Sequence, residues 1–313
     1  MIDRHKRLSG AAAMMLATAL VGAATPAAAA CKGSFAIEVL GSGGPLADDA
    51  RASSAYIVWR DGEARALVDA GGGAFLRFAE SGAKFETLDA LLISHFHADH
   101  VSDLPAVLKS GSFSKRAKTV TIAGPAGNAY FPGLGDFLRA LFDKDAGAFR
   151  YLSQYLTGEG DAPALRQAEI AIDSEQFSSV FSDGDFLIDA VAVNHGDVPA
   201  LAFRVSAEGK KVVFAGDQSV LSDAFDAALE GSAPDLIIAH HAISEAPGQP
   251  RGLHRAPSAI GEMAASAGAK RLVLSHNMKR ALDARREGLA AIRAVYKGKV
   301  SIADDHSCYV IAR

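Results

Sequence analysis

The sequence contains few cysteines and no excess of basic residues. Its 313 residues include only two cysteines, Cys31 and Cys308, which are too few for a disulfide scaffold and lack the spacing of a zinc ribbon. The formal net charge is −4, so the chain has no general electrostatic attraction to nucleic acid, which usually shows as a basic patch or a high pI. No internal repeat or low-complexity tract follows residue 30. The remaining composition, 49% apolar, is enough to bury a large core.

The N-terminus has the pattern of a signal peptide. Arg4, Lys6 and Arg7 form a basic region, an Ala-rich apolar run spans 11–24, and small residues at 28–30 provide a cleavage site. A transmembrane anchor is the competing interpretation, but the run is only weakly hydrophobic and ends in that small-residue site. We therefore expect residues 1–30 to be removed, the mature chain to be exported to a bacterial periplasm, and no transmembrane segment to remain.

Cys31, directly after the predicted cleavage site, has three possible fates. It can be lipidated, although the Leu expected three residues earlier is absent. It can form a disulfide with Cys308 in an oxidising compartment, which would join the mature N-terminus to the last strand. Both thiols can also stay free. The sequence favours the disulfide and leaves the other two open.

The densest set of potential metal ligands follows an apolar run, Leu88–Ile93, that predicts a buried strand. His95, His97, Asp99 and His100 lie within six residues, and neutral imidazole and carboxylate are the groups that bind Zn²⁺ and similar ions. Because side chains alternate along extended backbone, His95 and His97 can bind one ion. The chain then bends, so Asp99 and His100 can face a second. The alternative is an accidental histidine cluster in a surface loop.

Three further candidate ligands, His195, Asp217 and His276, each follow a predicted strand. Ligands at strand ends are held rigidly, as metal chemistry requires. Either histidine alone would be interpreted as an ordinary strand-end residue. Together with the dense motif, in this order along the chain, they favour a metal site.

The motif His-x-His-x-Asp-His after a strand resembles the signature of the metallo-β-lactamase superfamily. The resemblance implies an α/β fold, an αββα sandwich with the metal site at one edge. Strands alternate with helices without a linker, which indicates one domain over 31–313. The family pattern places His95, His97 and His195 in a first metal site and Asp99, His100 and His276 in a second. Asp217 would bridge the two, and Asp69, in Asp-Ala-Gly-Gly-Gly, would support the site without binding metal.

Within the superfamily, the chain is most similar to the ribonuclease Z and arylsulfatase/phosphodiesterase branch. The residues that follow His195, Val198–Val205, resemble a ribonuclease Z-type motif, as does Leu-Ser-His at 274–276 with Lys279 and Arg280 after it. His254, 22 residues before His276, stands where ribonuclease Z-like enzymes carry a histidine that binds no metal. It could donate a proton to the leaving oxygen or stabilise phosphoryl oxygens; the alternative is a surface histidine at a helix entry.

Several positions depart from the ribonuclease Z pattern. The family's His-Glu-Ala-Thr becomes His-His-Ala-Ile at 240–243, so the carboxylate that would orient His254 is missing, and we expect His241 or Glu245 to replace it. Gln218 stands where Thr often follows Gly-Asp. The segment 125–174 lies where a tRNA-binding arm would be inserted, but it is not basic; it is interpreted as a lid, a wall of the cleft, or extra packing helices. These departures disfavour nucleic acid as a partner.

Taken together, the sequence predicts an exported dinuclear metal-dependent hydrolase in which metal-bound hydroxide attacks a phosphodiester or related small-molecule ester. Two Zn²⁺ ions are the expected cofactors, with Mn²⁺ or Fe compatible with the second site. The candidate catalytic residues are Asp99, Asp217 and His254. The alternatives are a sulfate-ester or lactone hydrolase, and an exported metal- or ligand-binding protein without turnover. A homodimer is compatible with the sequence, which does not determine the oligomeric state.

Overall fold

Two β-sheets packed face to face, with helices on both outer faces, form the described part of the chain. The structure is a computed structural model that describes residues 31, 33–114, 118–160 and 163–312. The predicted signal peptide, 1–30, lies outside these residues. The architecture is the predicted αββα sandwich in a single domain, which confirms the predicted fold. No helix in the described ranges combines the length and the apolarity needed to cross a membrane.

The strands and helices alternate along the chain. The strands are β1 Phe35–Gly41, β2 Ala55–Arg60, β3 Glu63–Val68, β4 Ala90–Leu92, β5 Val120–Pro125, β6 Leu165–Ile170, β7 Ser178–Asp183, β8 Phe186–His195, β9 Val198–Ala207, β10 Lys210–Phe214, β11 Leu236–His240, β12 Arg271–Ser275, β13 Lys299–Ile302 and β14 Cys308–Ala312. The α-helices are α1 Ala74–Glu80, α2 Ala98–Val101, α3 Leu104–Gly111, α4 Leu134–Phe142, α5 Gln154–Thr157, α6 Asp223–Leu229, α7 Pro257–Ser266, α8 Lys279–Asp283 and α9 Arg285–Val295. Two 3₁₀ helices span Phe85–Thr87 and Arg150–Leu152.

Each sheet has seven strands and combines an antiparallel part with a parallel part. The first has the order β14-β1-β2-β3-β4-β5-β6, and the second has the order β13-β12-β11-β10-β9-β8-β7. Strands β3 to β6 pair in parallel, as do β10 to β13. The carboxyl ends of parallel strands meet at one edge of a sheet, where ligands bind in open α/β folds. This topology brings the ends of β3, β4, β10, β11 and β12 towards one edge.

Both faces of the central strands are buried, which explains their nearly continuous apolar sequence. In β1, Phe35, Ile37 and Val39 face the core between the sheets, whereas Ala36 and Leu40 face the helices outside the first sheet. The inner core also takes Ile188, Phe203 and Leu236 from the second sheet. The outer core of the second sheet includes residues of α6, α7 and α9. The site therefore rests on strands that are packed on both sides.

The Asp-Gly dipeptide at 61–62, between two apolar runs, predicts a hairpin, and the structure has it between β2 and β3. Asp61 and Gly62 both have positive φ, 52° and 78°, as a two-residue type I′ turn requires. Arg60 pairs with Glu63 across the turn. An Asp-Gly dipeptide between two apolar runs was therefore a sufficient signal for this turn.

The segment 125–174 contributes mainly to the core. Leu138 and Phe142 of α4 and Tyr155 of α5 are fully buried in the outer core of the first sheet, and the Tyr155 hydroxyl donates to the Leu108 carbonyl at 2.6 Å. Strand β6 then pairs in parallel with β5. One loop of the segment reaches the site edge, because Asn128 Nδ2 donates to the Asp197 carbonyl at 2.8 Å. The segment is thus a packing element with one loop beside the His195 turn.

Two helices have other bounds in the structure than the sequence alone indicates. The sequence 281–296 predicts one long helix, but the structure divides it into α8 and α9 at Ala284, whose backbone (φ −99°, ψ 19°) is not helical. Arg280 Nε donates to the Ala242 carbonyl and holds α8 against the loop after β11, whereas α9 packs on α7. The sequence 101–109 also predicts a helix, and in the structure this helix is α3, which begins at Leu104 and follows the separate one-turn helix α2. Pro105 lies in the first turn of α3, where its missing N–H is tolerated.

Candidate metal centre

Four side chains from three strand ends converge on a first group of donor atoms. His95, His97, His195 and Asp217 each place one ligand atom within 4.8 Å of the others. His95 Nε2 lies 2.9 Å from His97 Nδ1, and it lies 3.9 Å from Asp217 Oδ2. His195 Nε2 lies 3.7 Å from the same oxygen. Donor atoms around a tetrahedral ion, at bond lengths of about 2.0–2.2 Å, lie roughly 3.3–3.6 Å apart. The group therefore has the size of a coordination shell.

A second group shares Asp217 Oδ2 with the first. His100 Nε2 lies 3.5 Å from Asp99 Oδ2 and 3.7 Å from Asp217 Oδ2. His276 Nε2 lies 3.1 Å and 3.6 Å from the same two oxygens. His100 Nε2 is buried and has no hydrogen-bond partner in the described chain, although it points towards two carboxylates. A metal ion between these four atoms would satisfy that nitrogen, so the residues present fit a second ion.

His240 also lies within 4.8 Å of Asp217, His100 and His276, but both of its ring nitrogens already have other partners. Nδ1 lies 2.7 Å from Asp217 Oδ1, the oxygen that faces away from both groups of donor atoms, and Nε2 lies 3.3 Å from the Tyr56 hydroxyl. These contacts make Asp99, and not His240, the fourth member of the second group. His240 is the site residue that sequence reasoning missed. Its position at the end of β11 was the available signal, since the histidines predicted as metal ligands also lie at or after strand ends.

The charges at this edge suit a cation. Burial lowers the pKa of His95, of His97 and of His195, so these imidazoles are neutral, which is the form that binds metal. Burial would raise the pKa of Asp217, but the charge of His276 and the close imidazoles of His100 and His240 hold this pKa well below its usual range. The pKa of His100 is raised, because the carboxylates around it, with Asp69 first among them, outweigh the effect of burial. The cluster therefore attracts positive charge.

Comparisons with known proteins agree with this geometry. The family described as "Beta-lactamase superfamily domain" matches residues 64–277. The chain belongs to this superfamily. It is 28% identical over 281 residues to ribonuclease Z of Mycolicibacterium paratuberculosis, with 86% of this chain and 95% of the relative covered.

Two solved structures share the fold of this superfamily member. Human tRNase Z, short form, superposes with a TM-score of 0.66 at 23% identity and covers 89% of this chain and 100% of its own. The metallo-β-lactamase fold protein YhfI from Bacillus subtilis gives 0.65 at 22% identity, with 89% and 99% covered. The predictions of the superfamily, of its ribonuclease Z-like branch and of a metal-dependent hydrolase are therefore confirmed.

Asp69, which the superfamily resemblance assigned to a supporting role, lies behind the second group of donor atoms. Its carboxylate accepts hydrogen bonds from the Ser94 backbone N–H at 2.7 Å and the Ser94 hydroxyl at 2.9 Å. His100 Nδ1 lies 2.8 Å from Asp69 Oδ2. Because a carboxylate can only accept, the neutral form of His100, which is the form that binds metal, carries its proton on Nδ1 and presents a bare Nε2 to the site. Asp69 thus fixes the tautomer of a candidate ligand.

Glycines after Asp69 allow the backbone to pass close to the motif. A Cβ atom on Gly71 would lie 2.1 Å from the Asp99 carbonyl oxygen, a distance that no side chain can adopt. Asp69 and His276 have positive φ, 55° and 50°, and are not glycines. Backbone strain of this kind persists where the surrounding structure enforces it. At His276 the enforcing contact is Asn277, whose N–H donates to the Ser42 carbonyl at 2.7 Å.

His254 lies beside both groups of donor atoms but not in either. Its ring centroid is 5.3 Å from that of His195 and 6.1 Å from that of His276, and its Nδ1 is 3.5 Å from Asp217 Oδ1. The backbone next to it also orients a candidate ligand, because His195 Nδ1 donates to the Leu253 carbonyl at 2.9 Å. This leaves His195 Nε2 free for metal.

The predicted partners of His254 were wrong. His241 Nδ1 lies 3.1 Å from Asn277 Oδ1 and does not contact His254. The Glu245 carboxylate accepts from the Ser258 backbone N–H and hydroxyl, at the beginning of α7, where a carboxylate satisfies unpaired N–H groups. The Glu245 carboxylate therefore caps α7 and is not available to orient His254. Gln218 Oε1 instead accepts from Arg255, the residue after His254.

The structure therefore brings together every predicted ligand, and the role of each as a ligand stays a prediction. These residues are His95, His97, Asp99, His100, His195, Asp217 and His276. The sequence predicts that His306 is structural or exposed, and its ring contacts two glutamates: Nδ1 lies 3.0 Å from Glu38 Oε1, and Nε2 lies 3.1 Å from Glu80 Oε2.

Proposed function

We propose that the chain is an exported, dinuclear metal-dependent hydrolase that cleaves a phosphodiester or a related small ester. The observation that carries the proposal is the pair of four-atom donor sets that share Asp217 Oδ2. Two ions that share one carboxylate oxygen can hold both the attacking and the leaving oxygen of a displacement. Zinc suits the imidazole-rich first set, and manganese or iron would fit the carboxylate-containing second set as well.

Ions bound here would act as Lewis acids and would lower the pKa of a bound water to about 7, which supplies a nucleophile at neutral pH. The protein's own side chains would hold the ions and supply a proton. Asp217 keeps one oxygen towards both donor sets, and Asp99 completes the second set. His254 is positioned beside His195 and His276, where an imidazole can give a proton to the leaving oxygen of an ester.

The substrate proposed is a small ester and not a nucleic acid, although the curated relatives are named ribonuclease Z. A cavity of about 310 Å³ lies beside the His195 turn. Its lining includes Asp173, Glu175, Asp197 and Asp223 and contains no lysine or arginine. A polyanion needs cations along its path, and the side chains around this cavity do not supply them. A compact ester that carries a single phosphoryl charge is compatible with the two ions and with these carboxylates.

Export is proposed from the predicted signal peptide and has support from the cysteines. Cys31 and Cys308 are joined by a disulfide with a Cα–Cα distance of 5.5 Å, and disulfides persist in oxidising compartments such as the bacterial periplasm. A disulfide-bonded Cys31 has no free thiol for lipidation. The proposal therefore places the mature chain in the periplasm without a lipid anchor.

Turnover of a chromogenic phosphodiester, bis(p-nitrophenyl) phosphate, by the mature protein loaded with zinc tests this proposal. We expect hydrolysis by the wild type and none by Asp217→Ala, because that substitution removes the shared oxygen. His254→Ala should lower kcat with little change in metal content. Wild-type turnover on sulfate esters or lactones, but not on phosphodiesters, would refute the substrate class. Two bound ions without turnover on any of these would favour a binding protein.

A further inference from the structure

A hydrogen-bonded chain of two buried side chains, His240 and Tyr56, stands behind the shared carboxylate of Asp217. Asp217 Oδ1 lies 2.7 Å from His240 Nδ1, and His240 Nε2 lies 3.3 Å from the Tyr56 hydroxyl. His240 is 6% exposed and Tyr56 is 1% exposed, so water cannot easily replace either partner. Both residues lie outside the predicted set of ligands and outside the signature motif.

The directions of the two hydrogen bonds determine the tautomer of His240. An ionised carboxylate only accepts hydrogen bonds, so His240 Nδ1 must carry the proton that it shares with Asp217. His240 Nε2 is then a lone-pair acceptor, and the Tyr56 hydroxyl is its donor. Removal of that hydroxyl would leave Nε2 unpaired in the interior and free to take the proton, which would turn Nδ1 into an acceptor that faces a carboxylate.

The orientation of Asp217 depends on this chain. Its Oδ2 belongs to both donor sets, so a rotation of the carboxylate would withdraw one ligand atom from two ions at once. In the described part of the chain, the bond from His240, at 2.7 Å, is the shortest contact that any histidine makes with this carboxylate; His254 Nδ1 lies 3.5 Å away and His100 Nε2 lies 3.7 Å away, both beyond ordinary hydrogen-bond length. The His240 imidazole therefore fixes the orientation of the Asp217 carboxylate relative to both donor sets.

The same contact connects the two sheets. Tyr56 belongs to β2 in the first sheet, and His240 ends β11 in the second. The Tyr56 ring also packs against Phe214 at the end of β10, with centroids 5.5 Å apart, three residues before Asp217. The ligands of each donor set come from both sheets, so a rigid contact between the sheets behind them preserves their spacing.

We propose that His240, with its tautomer fixed by Tyr56, is a positioning residue that orients Asp217 as the ligand shared by two ions. The inference rests on the proposed function, because it takes Asp217 to be that shared ligand. It assigns no proton transfer to His240. The matched control is His241, the next residue, which is also buried but contacts Asn277 and not Asp217. Asn277 keeps its bonds to the Ser42 and Ala303 carbonyls when His241 is removed.

The test measures zinc affinity by competition with a chromogenic chelator, together with the visible spectrum of the cobalt-substituted protein. Loss of an outer partner of a metal site typically costs 10–100-fold in affinity. We expect that range for His240→Ala and near wild-type affinity for His241→Ala. His240→Asn, whose amide can donate from near the Nδ1 position, should recover most of the loss. Tyr56→Phe should weaken binding about 2- to 10-fold, as expected for one hydrogen bond.

The outcomes separate this inference from the proposed function. A wild type that binds fewer than two ions refutes the proposed function. A wild type with two ions and equal affinity in His240→Ala overturns the positioning role alone. Loss of one full equivalent of cobalt in His240→Ala, with the spectrum of a site that has one nitrogen fewer, would make His240 a ligand and would also overturn it. If His240→Ala does not fold, Tyr56→Phe decides: weaker binding supports the inference, and unchanged binding contradicts it.

Discussion

Asp69→Asn provides a demanding test of how the second donor set is organised. The carboxylate is 2% exposed and accepts from the Ser94 N–H, from the Ser94 hydroxyl and from His100 Nδ1. Asparagine has nearly the same shape and keeps one oxygen for the Ser94 N–H. Its amide end, however, donates. The amide would face His100 Nδ1 and force that nitrogen to accept, so the imidazole proton would move to Nε2, the atom that the second donor set uses.

The size of the effect follows from the bond that is lost. A hydrogen bond to a charged group contributes about 1.5–3 kcal/mol, and each 1.4 kcal/mol corresponds to a factor of ten in affinity. We therefore expect Asp69→Asn to weaken one of the two ions by about 10–100-fold and to leave the other nearly unchanged. The free energy of unfolding without metal should fall by less than the whole free energy of unfolding of a typical domain, about 5–15 kcal/mol, so the variant should still fold.

The assay is a chelator titration that resolves two binding steps, with unfolding in urea in the presence of EDTA as the measure of folding. Asp103→Asn is the matched control, because the Asp103 carboxylate accepts from the Gly73 and Phe75 N–H groups at 2.9 Å each and touches no candidate ligand. Two binding steps of wild-type affinity in Asp69→Asn would refute the tautomer argument. Equally weakened metal binding in Asp69→Asn and Asp103→Asn would attribute the effect to a general loss of stability.

Three further predictions concern the surroundings of the site. Gly71→Ala should prevent stable folding or lower the melting temperature strongly in a thermal scan, because its Cβ would lie 2.1 Å from the Asp99 carbonyl oxygen. The control is Gly252→Ala, which has open space around it and should have little effect. Equal melting temperatures for the two variants would contradict the packing argument. His306→Gln should lower the urea midpoint more at pH 6 than at pH 9. Burial opposes the charged form of His306, but hydrogen bonds to two glutamates outweigh it and raise its pKa, so the stabilisation is complete below the unfolded pKa of about 6.5 and is lost as pH rises through the higher folded pKa. A difference that does not depend on pH would contradict this. Cys308→Ser should cost about 2–4 kcal/mol in urea unfolding, because the disulfide closes a loop of 277 residues, and an unchanged midpoint would show that the bond does not form.

The sequence predicted the parts of the site that local patterns encode. Three histidines and an aspartate after an apolar strand already predict a metal site, and Asp69 with its glycines could be placed by the motif around it. His240 could not, because its role depends on Tyr56, which is 184 residues away along the chain, and on the tautomer that this contact selects. The partner of Glu245 was missed for a similar reason, since a helix cap at α7 competed for the carboxylate.

The same distinction holds for the fold. Strands such as β1, whose sequence alternates, and β11, whose apolar run precedes His240, were predicted. The edge strands β6 and β7 were not, because most of their residues face solvent and are polar. The division of α8 from α9 also lacks a local signal: Ala284 favours helix, and only the different neighbours of the two helices explain the break.

The measurement that tests the central claim most directly is the metal content of the purified mature protein by elemental analysis, for the wild type and for Asp217→Ala. Two donor sets that share one carboxylate oxygen predict two divalent ions per chain in the wild type and fewer than two in the variant. One ion or none in a folded wild type, after incubation with zinc, would contradict the dinuclear centre. Two ions in both proteins would contradict the role of Asp217 as the shared ligand.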